Sequence, residues 1–138
     1  MPGAGYSTRS LAEKLGIKPG TAVVALHAPA TYAALLGPLP DGATLGSRLP
    51  ARASFIHQFS ASRKNLSSEF PRLARALTDD GTLWVSWPKR ASNVETDLDE
   101  NIVREIGLTF GLVDVKVCAV DDVWSGLKFV RRLENRGK

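Results

Sequence analysis

The run Ala22-Val23-Val24-Ala25-Leu26 has no polar residue at any position. A strand with no polar face must be covered on both sides, which is the condition of a parallel sheet with helices above and below it. Two further segments share this character, Ala53 to Ser60 around Phe55-Ile56-His57-Gln58-Phe59, and Thr82 to Trp87. Between and after them the apolar spacing changes from continuous to helical. Leu66, Phe70, Leu73, Ala74 and Leu77 fall on one helical face, and so do Leu98, Ile102, Val103, Ile106 and Phe110. Alternating strand and helix patterns predict an α/β fold with a mostly parallel sheet between two helical layers.

The remaining elements follow from punctuation. Ser7 to Leu15 predicts a short helix stopped by Gly16, and Lys18-Pro19-Gly20 a turn. Pro29 opens a helix that turns Tyr32, Leu35 and Leu36 inward. Ala43 to Leu45 predicts a short strand. Ser62 is placed to cap the third helix, and Pro71 inside it predicts a kink or two helices in sequence, because proline removes a backbone donor and crowds the preceding turn. Asp79-Asp80-Gly81 predicts a turn, Pro88 to Glu95 a polar loop, and Asp97 with Glu100 a helix start. Val113 to Val120 and Leu127 to Arg132 predict two strands. Their short link, Asp121 to Gly126, requires an antiparallel hairpin at the end of the sheet. The organisation expected is a flexible stretch over 1–6, a single domain over 7–132 and a basic flexible tail over 133–138.

The net charge of +4 is confined to the end of the chain. Residues 128–138 hold five basic residues against Glu134 alone, and residues 1–127 hold thirteen of each sign. The one cysteine, Cys118, excludes an internal disulfide and a thiolate zinc site, and its strand position predicts burial. Two histidines without a third ligand at metal spacing give no metal site. No apolar stretch reaches membrane-spanning length, so a cytoplasmic chain without membrane contact is expected.

Leu73 to Trp87, ending Asp79-Asp80-Gly81-Thr82-Leu83-Trp84-Val85-Ser86-Trp87, resembles the late helix and strand of class I methyltransferases. Gly111-Leu112-Val113-Asp114-Val115-Lys116-Val117 and the final hairpin resemble the end of that fold. Trp84-Val85-Ser86-Trp87-Pro88-Lys89 and Asp114 to Asp121, followed by Trp124-Ser125-Gly126-Leu127-Lys128, are similar to motifs of a small bacterial family of unknown function. The resemblance runs from Tyr6 over nearly the whole chain. It implies a Rossmann-like, methyltransferase-like fold, shortened by one inner strand–helix unit, and no activity. Methyltransferases hold S-adenosylmethionine over a glycine-rich turn after the first strand, where the backbone must approach the cofactor. Here that turn is His27-Ala28-Pro29-Ala30-Thr31, without glycine. After the second strand, where an acidic residue holds the ribose, stand Gly46, Ser47 and Arg48. Gly3-Ala4-Gly5 precedes any strand and is no substitute.

In open parallel sheets ligands sit beyond the carboxyl ends of the strands. Reading those ends collects His27, Ser60, Trp87, Lys89, Arg90, Asp121 and Trp124. Trp87 and Trp124 beside Lys89 and Arg90 suit a planar or anionic ligand, or a protein contact. His27 with Asp121 as its orienting partner would form a base. His57, inside an apolar strand, is expected to be a hydrogen-bonded core residue. Ser60, Ser62 and Ser86 lie in no nucleophile elbow. The leading expectation is therefore a degenerate Rossmann-like module, with no cofactor, that binds a partner protein or small ligand at this rim. A divergent methyltransferase-like enzyme rebuilt around His27, Trp87 and Asp121 is the first alternative. A nucleic-acid-binding accessory protein using Lys89, Arg90 and the tail is the second. The open sheet edge and the two tryptophans would also suit a homodimer.

Overall fold

In a computed structural model, residues 10–132 are described. The expectations for 1–6 and for the 133–138 tail, and the start of the first helix at Ser7, lie outside them. Six strands form one sheet in the order β2-β1-β3-β4-β6-β5. They are β1 (Ala22–Leu26), β2 (Thr44–Gly46), β3 (Ala53–Phe59), β4 (Leu77–Pro88), β5 (Leu112–Ala119) and β6 (Trp124–Arg131). β2, β1, β3 and β4 pair in parallel, and β6 lies antiparallel between β4 and β5, so that β5 again runs in the direction of the parallel strands. The helices are α1 (Leu11–Leu15), α2 (Tyr32–Leu36), α3 (Arg63–Ala76) and α4 (Glu100–Thr109).

The period of two along each strand divides the core. Val24, Leu26, Ile56, Leu83, Val85, Leu127 and Phe129 pack with α3 and α4. Val23, Ala25, Phe55, Phe59 and Trp84 pack with α1 and α2. The three-layer arrangement with a closing hairpin is as the alternation predicts. Five residues are too few to make a stable helix alone, and α1 is fixed from outside. Ser10 and Glu13 form a reciprocal capping box, and Gly16 closes the helix at φ 84°. The buried Trp84 indole donates to the Leu15 carbonyl at 2.9 Å.

Several local expectations are corrected. α3 runs as one helix through Pro71. Pro71 lies on the exposed face, so the carbonyl it leaves unbonded faces water rather than the core. Asp79-Asp80-Gly81 does not separate helix from strand. It forms an irregularity inside β4, where Ala53 pairs with Leu77 but Phe55 pairs with Thr82. Gly81 is required there, since a Cβ would lie 2.8 Å from Leu77 Cδ1 and Thr78 Oγ1. The cap of α4 is Asp99, which accepts from the Ile102 amide; Asp97 Oδ1 instead accepts from the Arg63 amide at the start of α3. Ser62 caps α3 as expected, accepting from the Asn65 amide. Cys118 is half-buried, at the border of the α1–α2 core. Among the described residues no helix is long and apolar enough to cross a membrane.

Gly107, in α4, lets the helix approach the buried Phe129 ring. A Cβ there would lie 2.1 Å from Phe129 Cε1. Gly107→Ala should therefore destabilise the fold by about 2 kcal/mol, against the ~1 kcal/mol that helix propensity favours alanine. A thermal melt should fall by roughly 6–8 °C, and adding Phe129→Leu should recover part of the loss.

Candidate functional site

β1, β3 and β4 end on the same edge of the sheet, and β6 begins there. That edge brings His27, Ser60 and Trp124 together. His27 directly follows β1 at φ 58°, a left-handed conformation that non-glycine residues seldom adopt. Its Nε2 lies 3.0 Å from Glu69 Oε2 on α3. Glu69 is held from three sides: Gln58 Nε2 donates to its Oε1, and His27 and Arg72 both approach Oε2, Arg72 at 3.6 Å. The Glu69 side chain is only 25% exposed and His27 is 60% exposed, so the carboxylate is a fixed acceptor beneath a solvent-facing imidazole.

His27 and Glu69 wall a cavity of about 370 Å³ with Phe59, Ser60, Asn65, Ser68 and Trp124. The polar wall is α3 and the strand end, and the apolar wall is Phe59 and Trp124, in edge contact at 5.1 Å. A line of rings runs inward from it. Phe59 stacks on His57 at 4.2 Å, and Tyr32 meets His57 edge-on at 5.2 Å. His57 is wholly buried, with Nδ1 2.7 Å from Tyr32 Oη and Nε2 2.8 Å from Ser86 Oγ. It is the satisfied core histidine that its apolar strand predicts. Burial pushes its pKa down to about 3, and raises that of Tyr32 well above its ordinary value.

The predicted rim does not form as one group. Trp87 and Trp124 point to opposite faces of the sheet, because Pro88 rather than Trp87 pairs with Trp124. Trp87 is 5% exposed and belongs to the α3–α4 core. It borders a second cavity of about 450 Å³ with Arg90, Glu95, Asp97 and Asp99. Lys89 is half-buried, and its amide donates to the Val123 carbonyl. Asp121 does not orient His27. Its Oδ1 accepts from the Val123 and Trp124 amides and so shapes the hairpin turn. Of the predicted residues, His27, Ser60 and Trp124 meet at the first cavity, and Trp87 and Arg90 at the second. Sequence reading missed Glu69, Asn65 and Ser68. The available signal was a carboxylate beside the buried stripe of the helix that leaves β3, where its N-terminal turns overhang the strand ends. Among the described residues no group of three His, Cys, Asp or Glu could hold a metal ion.

This architecture has counterparts among solved structures. A fibrillarin pre-rRNA processing protein from Methanococcus jannaschii aligns at TM-score 0.61 and 15% identity, over 88% of this chain and 73% of that one. A SAM-dependent methyltransferase from Aquifex aeolicus gives TM-score 0.60 and 13% identity, over 85% of each chain. Magnesium protoporphyrin IX methyltransferase from Synechocystis PCC 6803 gives 0.58 and 12%, over 83% and 75%. The chain has the methyltransferase-like fold. At these identities the likeness concerns the fold alone. No family model and no curated protein matches the chain.

The residues at the β1 and β2 ends do not fit the cofactor that this methyltransferase-like fold implies. A cavity of about 290 Å³ there is lined by Ala28, Pro29, Tyr32, Leu45, Gly46 and Ser47 among others, with no charged side chain. Nothing in it would pair with ribose hydroxyls as a carboxylate does, and Pro29 has no amide to offer.

Two expectations follow. His57 is neutral in the fold down to about pH 3, whereas the unfolded chain protonates it near 6.5. Above 6.5 the stability is fully present. Between 6.5 and 3 only the unfolded chain binds the proton, so stability falls with pH by up to about 1.4 kcal/mol per pH unit. Urea unfolding at a series of pH values should show this excess slope in the wild type and not in His57→Gln; parallel curves would refute the neutral, buried ring. Separately, Trp87→Ala should cost about 3–5 kcal/mol of stability through a core cavity, measurable as a lowered urea midpoint, whereas the half-exposed Trp124→Ala should cost less.

Proposed function

We propose that this chain is a binding module of the methyltransferase-like fold that takes a small ligand at the His27–Glu69–Trp124 cavity and transfers no methyl group. The observation that carries this reading is the left-handed His27. At the turn where a glycine-rich loop would let a cofactor approach, the chain places an imidazole that spans to Glu69 at 3.0 Å. The cavity beside it combines a fixed carboxylate, two serine hydroxyls and an asparagine with two aromatic rings. Such a lining suits a flat ring with a hydrogen-bonding edge, such as a nucleoside or other heterocycle. A small ligand is favoured over a partner protein as the occupant because the residues enclose a cavity rather than present a protruding apolar patch.

A thermal-shift panel of S-adenosylmethionine, S-adenosylhomocysteine, adenine and nicotinamide nucleotides and free nucleosides tests it. A ligand at a hundredfold excess over its dissociation constant adds about 2.7 kcal/mol, worth several degrees in a domain of this size. The expected result is a shift with a nucleoside or nucleotide that Glu69→Gln and Trp124→Ala abolish. His27→Gly should also weaken it, while leaving stability within about 1 kcal/mol, since glycine adopts the turn freely. A shift confined to the two adenosyl-sulfur ligands would instead favour a divergent cofactor-using enzyme. A flat panel would move the search to protein partners.

A further inference from the structure

The face of the sheet that carries α1 also carries an unbalanced charge. Lys116 of β5 and Lys128 of β6 are directly paired across the antiparallel ladder. Both stand on the face where Lys128 lies beside the buried Trp84, its partner in β4. Trp84 in turn binds the last turn of α1, and Lys116 Nζ reaches the Lys14 carbonyl at 3.4 Å. Lys14 and Lys18, one in that turn and one just beyond it, complete the group. Lys128 is half-buried. Burial lowers its pKa, and the charges of Lys116 and Lys18 lower it further. Among the described residues none of the four makes an ion pair, and the nearby Glu13 carboxylate accepts from Ser10.

Like charges placed opposite each other in a ladder are destabilising, and a partly buried ammonium without a carboxylate costs more. An arriving anion relieves the arrangement. We infer that the Lys14–Lys18–Lys116–Lys128 face binds the phosphate backbone of a nucleic acid. The four ammonium groups come from α1, the turn after it, β5 and β6, and none of them lines any of the five principal cavities. An open surface of spread cations fits a chain that runs across it, not a small phosphate that needs enclosure. This surface is distinct from the strand-end cavity and does not depend on the reading proposed for it.

The test uses the full chain and a fluorescein-labelled single-stranded DNA of mixed sequence, about 20 nucleotides long. Fluorescence anisotropy is measured over a salt series. Four phosphate contacts predict a slope of log affinity against log salt of roughly −3, about −0.7 for each contact. Lys116→Gln with Lys128→Met should reduce that slope to roughly −1.5 and weaken binding at low salt by about tenfold or more. Lys128→Met alone should raise the melting temperature, because it removes the half-buried charge, so a loss of binding in it is not a loss of folding. Affinity and slope unchanged in the double variant would overturn the inference. So would binding that is lost in Arg136→Gln with Lys138→Gln but kept in the lysine variants, or poly-glutamate that displaces the oligonucleotide at equal charge concentration.

Discussion

The contact on which most of the structure depends is the buried chain Tyr32–His57–Ser86. It joins α2 to the two central parallel strands, β3 and β4, through two hydrogen bonds of 2.7 and 2.8 Å. A neutral imidazole has one donor and one acceptor nitrogen, and the two hydroxyls can complement either tautomer. Removing any member leaves a buried polar group unpaired, at about 1–3 kcal/mol each. Burial keeps the ring neutral, and neutrality makes its burial affordable; the two conditions support each other. Stacked outward on His57, Phe59 fixes the wall of the strand-end cavity, and Trp124 rests on Phe59. The geometry of the candidate site is thus continuous with the most constrained part of the core.

The two layers are stabilised by different means. The α3–α4 face is held by apolar burial, with Phe70, Leu73, Val103 and Phe129 wholly enclosed. The α1–α2 face carries two helices of five residues and relies on directed bonds: the capping box, the Trp84 indole on Leu15, and Tyr32 on His57. Directed bonds hold short elements that cannot bury enough surface to fold alone. They also leave more of that face open, and that is where the four lysines gather.

Legibility in the sequence followed the range of the interaction. The unbroken run Ala22–Leu26, the stripe from Leu66 to Leu73 and the short link from Asp121 to Gly126 each report a local period or length, and they were enough for the layers and the closing hairpin, although β6 itself begins earlier than expected, at Trp124. Where a local sign had two meanings, tertiary contacts chose. Asp97 and Asp99 can each cap a helix, and Asp97 was taken by the Arg63 amide 34 residues away. Asp79-Asp80-Gly81 can turn a chain or interrupt a strand, and pairing with β3 drew it into β4. The site was less legible because its pairs are distant in sequence. His27 and Glu69 are 42 residues apart, and no period links them. Trp87 and Trp124 carry the same side chain, but the one-residue offset in their pairing sends them to opposite faces. The balanced charge of residues 1–127 concealed that Lys14, Lys18 and Lys116 gather with Lys128, which happens only once β5 and β6 are paired.

The left-handed His27 bears on what the fold retains. A non-glycine residue in that region costs of order 1–3 kcal/mol and persists only where its surroundings over-determine it. Glycine would satisfy the same turn without that cost. The chain carries an imidazole instead, and its bond to Glu69 is the contact a glycine could not make. Glu69 is also anchored by Gln58, whose side chain is wholly buried, so the carboxylate is not held in place for His27 alone. A scaffold can keep its strand order while the chemistry at the strand ends is replaced, because the sheet depends on buried periodicity and the site depends on a few exposed side chains. At this turn the side chains place a histidine–carboxylate pair facing solvent beside the β3–α3 cavity, where the pair is held by contacts that the sheet itself does not need.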